Sequence, residues 1–231
     1  MQTLADSANP LVERLRAIRA GITPERQAEI DAELALQRDL EKRKAIVSVG
    51  MPAIFERTPF EAAPKRARDW ARKCWKGDSR NLILAGDSGA GKTEAACALL
   101  GAMAPAMAPA RARCRFATFG DILREVRATY GSDGTELGVM GKWESCAVLC
   151  LDDLGKERPT QDVLDKLFAL IDHRYRRGRA TIFTTQYRSP TELGKRLMSQ
   201  GGDVETAEAI VRRVYGMGER KAEVVSLGGK E

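Results

Sequence analysis

A glycine-rich segment that ends in lysine and threonine constrains the fold of this chain more than any other feature: Gly86-Asp87-Ser88-Gly89-Ala90-Gly91-Lys92-Thr93. It matches the pattern G-x-x-x-x-G-K-[ST] in full. It also follows a short apolar run and opens an alanine-rich helical segment, which is the context of a phosphate-binding P-loop. The glycines let backbone N–H groups turn towards phosphate oxygens, and the helix N-terminus adds partial positive charge. We expect the whole segment to bind ATP, with Lys92 reaching the β- and γ-phosphates and the Thr93 hydroxyl binding Mg²⁺.

Two carboxylates follow a second apolar run, Cys146-Ala147-Val148-Leu149-Cys150-Leu151. Side chains alternate along a strand, so Asp152 and Asp153 are expected on opposite sides and in different roles. We expect Asp152 to hold Mg²⁺ through its water shell, and Asp153 to polarise the attacking water. Aspartate is one methylene shorter than the glutamate that many similar sites carry in the second position, which predicts slow, switch-like hydrolysis.

Strands and helices alternate from about residue 80 onward. Helices are predicted over 92–103, from Asp121 onward, and over a segment with an apolar face of Val163, Leu164, Leu167, Phe168 and Ile171. The Ala/Pro stretch 104–109 is expected to end the first of these helices. Predicted strands cover 82–85, 115–119, 146–151, 180–184 and 223–227. Continuous apolar strands alternating with helices are typical of a mostly parallel sheet covered on both faces, so the sequence predicts an α/β fold with five parallel strands.

Residues 1–48 differ from the rest of the chain. Leu11, Leu15 and Ile18 recur at helical spacing, and Thr23-Pro24-Glu25 is typical of an N-cap, a first-turn proline and an acidic first turn. A long charged helix is predicted to follow, and so short a helical pair buries little surface by itself. We therefore divide the chain into a helical N-terminal arm, residues 1–48, and a main domain, residues 49–231. The arm is either a brace packed on the main domain or a docking module for a partner, and the sequence leaves both open.

Charge and composition narrow the class of protein. The chain of 231 residues has a formal net charge of +6 and a pI near 9.2. Basic residues are dense in 65–80, 111–115 and 173–179, which favours nucleic-acid binding over ordinary solvated faces. No apolar run approaches the roughly 18 residues that a membrane span needs, and the first residues lack the pattern of a signal peptide. We therefore expect a cytoplasmic protein with no membrane partner.

The cysteines are expected to be reduced and buried. They contain no C-x-x-C pair, and the chain has a single histidine, so a zinc site is a weaker interpretation than buried thiols. The five are Cys74, Cys97, Cys114, Cys146 and Cys150.

Three segments together resemble a known family: Leu151-Asp152-Asp153-Leu154-Gly155-Lys156-Glu157, the helix end Ile171-Asp172-His173-Arg174-Tyr175, and Thr181-Ile182-Phe183-Thr184-Thr185-Gln186. They resemble the DnaC/DnaI-type bacterial helicase loaders, and the related IstB-type transposition helpers share the same pattern. Upstream, Gly50-Met51-Pro52-Ala53-Ile54-Phe55 is similar to the G-x-P-x-x-[FY] sequence ahead of their P-loop. The resemblance runs from about residue 50 to the end. It implies an AAA+ ATPase core without the usual C-terminal helical lid.

The resemblance also implies roles for residues outside the P-loop. Gln186 stands where these proteins usually have a sensor asparagine, so an amide one methylene longer would reach for the γ-phosphate. The segment around Arg213 resembles the one that supplies an arginine finger to the neighbouring subunit. Arg213 is the preferred finger and Arg212 the next, with surface or DNA-facing charges as the alternative for both.

Three cations on two short predicted helices are candidates for DNA binding. Arg124, Arg127 and Lys142 lie where initiator and loader ATPases track single-stranded DNA, which implies sequence-tolerant, salt-sensitive contacts with phosphates. The alternative is a solvated helix face.

The function that fits these features is ATP-dependent loading of a replicative DNA helicase onto single-stranded DNA, with ATP as an assembly and release switch. The chain would act as a homo-oligomer, a ring or open spiral, with active sites at subunit interfaces. The nearest alternative is a transposition helper that selects target DNA for a transposase. A small-molecule kinase is opposed by the paired aspartates, the finger and the basic clusters. A non-catalytic DNA-binding protein with a relic site is opposed by the intact Lys92, Thr93 and Asp152.

Overall fold

The computed structural model of the chain describes residues 23–107, 114–131 and 133–228. The chain divides into two compact units, Met1–Arg43 and Lys44–Glu231. Helix α1 (Pro24–Val47) begins as predicted, because the Thr23 hydroxyl accepts a hydrogen bond from the Arg26 N–H at 3.3 Å and caps it. None of the α1 residues is buried. The predicted apolar positions Leu11, Leu15 and Ile18 lie outside the described residues.

A parallel sheet of five strands organises the described residues of the second unit, in the order β2-β3-β4-β1-β5. The prediction of an α/β fold with five parallel strands is thus confirmed. The last strand has the predicted bounds, three others differ by at most one residue at either end, and β3 begins two residues later than predicted. The strands are β1 (Leu82–Gly86), β2 (Cys114–Thr118), β3 (Val148–Asp152), β4 (Thr181–Thr185) and β5 (Glu223–Leu227).

Helices cover both faces of this sheet. Along β1 and β4, Ile83 and Phe183 belong to one apolar core, while Leu82 and Ile182 belong to the other. Helices α2 (Lys65–Trp75) and α3 (Lys92–Ala106) pack on the second core. The first core is covered by α4 (Phe119–Ala128), α5 (Glu136–Ser145), α6 (Gln161–Arg176), α7 (Pro190–Leu197) and α8 (Val204–Tyr215). The five cysteines are free and buried, as expected.

The end of α3 differs from the prediction. The Ala/Pro stretch was expected to end the helix at residue 103, but the helix continues through Pro105 to Ala106. Proline removes its own N–H donor and crowds the carbonyl four residues earlier, but the next turn still closes, with the Met107 N–H donating to the Met103 carbonyl oxygen at 3.0 Å. Pro105 therefore does not break the helix before its last turn is complete.

The start of α4 also differs from the prediction, by two residues. Thr118 ends β2 and caps the helix, since its hydroxyl accepts from the Asp121 N–H at 3.1 Å while the Asp121 carboxylate accepts from the Thr118 N–H, also at 3.1 Å. This reciprocal capping box turns the chain directly from strand to helix. Within the described part of the chain, no helix has both the length and the apolar character that a membrane span requires.

Candidate nucleotide-binding site

The P-loop joins β1 to α3 at the carboxyl edge of the sheet. Gly89 and Gly91 have φ values of 78° and 80°, a left-handed backbone that residues with side chains rarely adopt. A Cβ atom on Gly86 would lie 2.4 Å from the Leu227 carbonyl oxygen, so the chain passes too close to β5 for any side chain there. The buried Lys92 donates from Nζ to the Asp87 carbonyl oxygen at 2.8 Å, which holds the ammonium group over the loop. The loop thus has the shape and the charge of a phosphate cradle.

The Thr93 hydroxyl lies against Asp152 at the end of β3. It donates to the Asp152 carboxylate, with 3.1 Å to Oδ1 and 3.2 Å to Oδ2, while the Thr184 hydroxyl donates to Oδ1 at 2.6 Å. Burial raises the pKa of the Asp152 carboxyl, and the hydrogen bond from Thr184 opposes that rise. Hydroxyl and carboxylate oxygens are the ligands that Mg²⁺ prefers, so this pair fits the ion.

Asp153 leaves the strand and enters the cleft. Its φ is 56°, the left-handed region, and its N–H donates to the Thr184 hydroxyl at 2.9 Å. Its carboxylate forms an ion pair with Lys156, at 2.7 Å between Nζ and Oδ2. The two aspartates therefore have different surroundings because the chain turns at Asp153, and not through the strand alternation that we expected.

One cleft of about 150 Å³ is lined by four of the predicted site residues, Ser88, Lys92, Asp153 and Gln186. Gln186 stands at its rim, donating from Nε2 to the Tyr187 hydroxyl at 3.1 Å. A cation of the P-loop, the aspartate proposed to act on water and the amide proposed as sensor thus share one surface. The lining residues are Ser88, Lys92, Asp153, Leu154, Lys156, Gln186 and Tyr187.

The sequence interpretation missed three residues of this site. Thr184 holds both the Asp152 carboxylate and the Asp153 backbone, and it could have been found from the position of a threonine at the carboxyl end of a neighbouring strand. Lys156 lies inside the motif that carried the family resemblance. Arg188 forms an ion pair with Asp87 of the P-loop, at 3.0 Å between Nη2 and Oδ2, and no sequence signal indicated that pair.

Arg213 lies at the opposite edge of the sheet. Its Nε donates to the Asp172 carboxylate at 2.8 Å, and its guanidinium lies 5.1 Å from the centre of the Tyr175 ring. The Asn81 side chain, just before β1, donates to the Arg213 carbonyl oxygen at 3.0 Å. Asn81 and the P-loop lie at opposite ends of β1. Arg213 is therefore separated from the P-loop of its own chain by the length of that strand, about 16 Å at 3.3 Å per residue. Arg212 is exposed and forms no ion pair within the described residues.

The three candidate DNA contacts differ in how free their charges are. Arg127 is exposed on α4 and makes no ion pair in the part of the chain that is described. Arg124 is bonded to Asp121 of its own helix. Lys142 pairs with Glu125 at 2.9 Å, so part of its charge is neutralised.

Arg174 does not belong to a nucleic-acid-facing cluster. Its side chain is buried, with 1% exposed, and it donates to the carbonyl oxygens of Cys146 at 2.8 Å and Ala180 at 2.6 Å, and to the Thr181 hydroxyl at 3.0 Å. Burial lowers the pKa of this guanidinium. The inclusion of Arg174 in the basic cluster 173–179 was wrong. Its guanidinium is used in hydrogen bonds that link the segment before β3 to the start of β4.

Comparisons with known proteins agree with this geometry. A family model described as IstB-like ATP binding protein matches residues 11–230. The crystal structure of DnaI superposes with a TM-score of 0.61 at 20% identity, covering 77% of this chain and 94% of that chain. The crystal structure of the DnaC helicase loader gives a TM-score of 0.60 at 22% identity, covering 76% and 99%. The replication initiator DnaA, bound to AMPPCP and single-stranded DNA, gives 0.56 at 15% identity, covering 75% and 50%. A search of curated proteins finds no match.

Proposed function

The chain belongs to the family of IstB-like ATP binding proteins and is an AAA+ ATPase of the DnaC/IstB type. From this membership, we propose that it loads a replicative DNA helicase onto single-stranded DNA, with ATP as the switch between assembly and release. The observation that carries the ATP-dependent part of the proposal is the site itself, with Lys92, Asp153 and the Thr93–Asp152 pair together at the carboxyl edge of the sheet. The fold around that site is shared with the DnaC helicase loader over 99% of that chain.

The residues of the cleft have distinct tasks in this proposal. The P-loop amides and the Lys92 ammonium bind the phosphates of ATP, and Thr93 and Asp152 hold Mg²⁺. When bound, the ion draws negative charge away from the phosphates. Asp153 accepts the proton of the attacking water, and Gln186 orients the γ-phosphate from the rim of the cleft. The donor types and their positions support these assignments, and the role of Gln186 rests on the family resemblance.

The switch requires a second subunit in this proposal. A cation that one subunit places at the P-loop of its neighbour would stabilise the charge that develops on the γ-phosphate of the neighbour's ATP. Arg213, or Arg212 beside it, is the proposed donor, and its distance from the P-loop of its own chain supports action in trans. The chain would then assemble as a ring or an open spiral, with Arg124, Arg127 and Lys142 contacting the DNA.

A transposition helper is the second candidate, because the family that matches is named after the IstB protein. Both candidates share the ATPase site and DNA binding, and they differ in the partner protein. The test is capture by the purified chain of the replicative helicase and of a transposase from the same host, with and without ATP. Loading is supported if ATP-dependent capture of the helicase also delivers it onto a single-stranded circle. Capture of the transposase without the helicase would replace this proposal by the second one.

The matched variants for this test are Lys92→Ala and Asp153→Asn. The first removes the phosphate-binding cation and should abolish ATP binding, so helicase delivery should fail. The second keeps the Mg²⁺ ligands and should bind ATP but not hydrolyse it, so capture should persist without release. Tight ATP binding by Lys92→Ala in calorimetry would show that the P-loop assignment is wrong.

A further inference from the structure

The solvent face of α2 carries most of the net charge of the chain. Between residues 65 and 76, six lysines and arginines stand against one acidic residue, a net charge of +5, whereas the whole chain has +6. Helix α1, at 24 residues, has five basic and six acidic residues. The segment 65–76 therefore carries a high local positive charge, whereas α1 carries almost none. The six cations are Lys65, Arg66, Arg68, Arg72, Lys73 and Lys76.

These cations lie on a single side of α2. The opposite side, with Ala67, Trp70, Ala71 and Cys74, is buried in the core. Residues that are four or seven positions apart lie on the same side of a helix. Lys65, Arg72 and Lys76 are spaced in this way, so they form a row along the middle of the exposed face. At 1.5 Å per residue this row is about 16 Å long.

Three of the six charges are free, two are paired, and Arg68 is half-buried, with an Nε that has no hydrogen-bond partner among the described residues. Arg66 pairs with Glu223, and Arg72 pairs with Asp69 on its own helix. Lys65, Lys73 and Lys76 are exposed, and none of them forms an ion pair with a residue that the structure describes. They are available to an external anion.

This surface is separate from the nucleotide cleft. Glu223, which Arg66 reaches, is the first residue of β5, and the Trp70 ring N–H donates to the Arg80 carbonyl oxygen ahead of β1 at 2.9 Å. Helix α2 therefore lies at the amino edge of the sheet. The P-loop follows the carboxyl end of β1, and α4, which carries Arg124 and Arg127, follows the carboxyl end of β2.

We propose that the outer face of α2 binds the phosphate backbone of duplex DNA without reading its sequence. A duplex presents one negative charge per about 1.7 Å of its axis, twice the density of one strand, and a straight row of cations fits that charge. Sites for single strands combine cations with open aromatic rings on which bases stack. Here the neighbouring rings of Phe60 and Trp75 are stacked on each other, with centroids 5.8 Å apart, and Arg72 lies over Phe60 at 5.4 Å. Trp75 is 39% exposed, but its ring is already stacked on Phe60, so charge is the main feature that this face offers to a nucleic acid.

The test compares two triple charge reversals in the full chain. Lys65→Glu/Lys73→Glu/Lys76→Glu changes the proposed surface, and Arg38→Glu/Lys42→Glu/Arg43→Glu makes the same change of charge on α1. Binding to a fluorescent duplex and to the matching single strand is followed by anisotropy over a range of salt concentrations. For the first variant we expect the slope of log K against log salt to fall by about 2.7 on the duplex, roughly 0.9 per lost phosphate contact. Single-strand binding and ATP binding should persist, and the α1 variant should bind both DNAs like the parent.

The inference would be overturned if the parent chain does not bind duplex DNA, or if both triple variants lose duplex binding equally. It would also be overturned if the α2 variant loses single-strand binding as much as duplex binding, or if the parent binds phosphatidylserine vesicles in place of DNA. Thermal melts check folding, and Lys65→Gln/Lys73→Gln/Lys76→Gln gives the same test if the reversal does not fold. The surface does not depend on helicase loading, so a chain that captures no helicase still tests it.

Discussion

Lys156 Nζ lies 2.7 Å from Oδ2 of Asp153, so the carboxylate that we propose as the base is held by a cation three residues along the chain. The hydrogen bond to Asp153 raises the pKa of Lys156. Both side chains line the nucleotide cleft, and Lys156 remains 71% exposed. A pair of this kind restrains the carboxylate and can be opened by a partner.

Lys156→Ala should therefore raise the basal rate of ATP hydrolysis. An exposed ion pair contributes about 0.2–1 kcal/mol, so freeing Asp153 should increase kcat by at most about fivefold, with little change in ATP affinity. Lys42→Ala removes a lysine from a similarly spaced pair on α1 and is the control. A fall in kcat for Lys156→Ala would instead make Lys156 a phosphate contact.

Asp121→Ala should lower the stability of the chain in a pH-dependent way. Burial raises the pKa of this carboxyl, but the hydrogen bonds from Thr118 and Arg124 outweigh it and hold the pKa below its ordinary value of 3.8. A carboxyl with a lowered pKa stabilises the fold above its ordinary value and loses that contribution as the pH falls further. Denaturant unfolding should show a loss of about 1 kcal/mol at neutral pH, shrinking below pH 4. Asp133→Ala, in an exposed loop, should show neither effect.

Arg174→Ala should destabilise the chain far more than Arg177→Ala. The buried Arg174 donates to the Thr181 hydroxyl and to four carbonyl oxygens, and truncation leaves those acceptors without this donor. The carbonyl oxygens are those of Trp143, Glu144, Cys146 and Ala180. Leaving one buried acceptor unsatisfied costs about 1–3 kcal/mol, and Arg174→Ala leaves several, whereas the exposed Arg177 should cost less than about 0.5 kcal/mol. Equal unfolding midpoints for the two variants would contradict the structural role of Arg174.

The strands and the P-loop were predictable because their signals are local. The strands β1 and β3 are nearly continuous apolar runs, and the P-loop needs glycine at positions of left-handed φ, so both leave a pattern in consecutive residues. Arg174 could not be interpreted correctly in this way, because its partner Cys146 lies 28 positions away and only packing brings them together. The turn at Asp153 was missed for a similar reason, since the Thr184 hydroxyl that supports it comes from another strand.

Arg212→Ala and Arg213→Ala should differ in stability as well as in activity. The Arg213 side chain pairs with Asp172, so its removal should lower the melting temperature, while the exposed Arg212 should not affect it. Whichever residue is the finger should reduce kcat on the order of 10³-fold. Mixing that variant with Lys92→Ala should restore part of the activity, since one mixed interface keeps both groups. If neither mixture recovers activity while mixed assembly is demonstrated independently, the finger does not act in trans.

Removing residues 1–43 should leave the ATPase domain folded and active while abolishing capture of the helicase. No residue of α1 is buried, and Leu34, Leu36 and Leu40 are 42%, 62% and 47% exposed. A helix that buries so little adds little stability, so the melting temperature should fall by no more than about 2–4 °C, and binding of ATP and DNA should persist.

The exposed leucines would instead complete their packing against a partner helix. Leu34→Glu/Leu40→Glu in the full chain should therefore abolish helicase capture as the deletion does, and Arg38→Glu on the same helix is the control for charge. The two interpretations of the arm give opposite results in a melt and a pull-down on the same truncated protein. A brace predicts a much lower melting temperature and loss of ATP binding. A stable truncated protein that still captures the helicase would rule out docking through this arm.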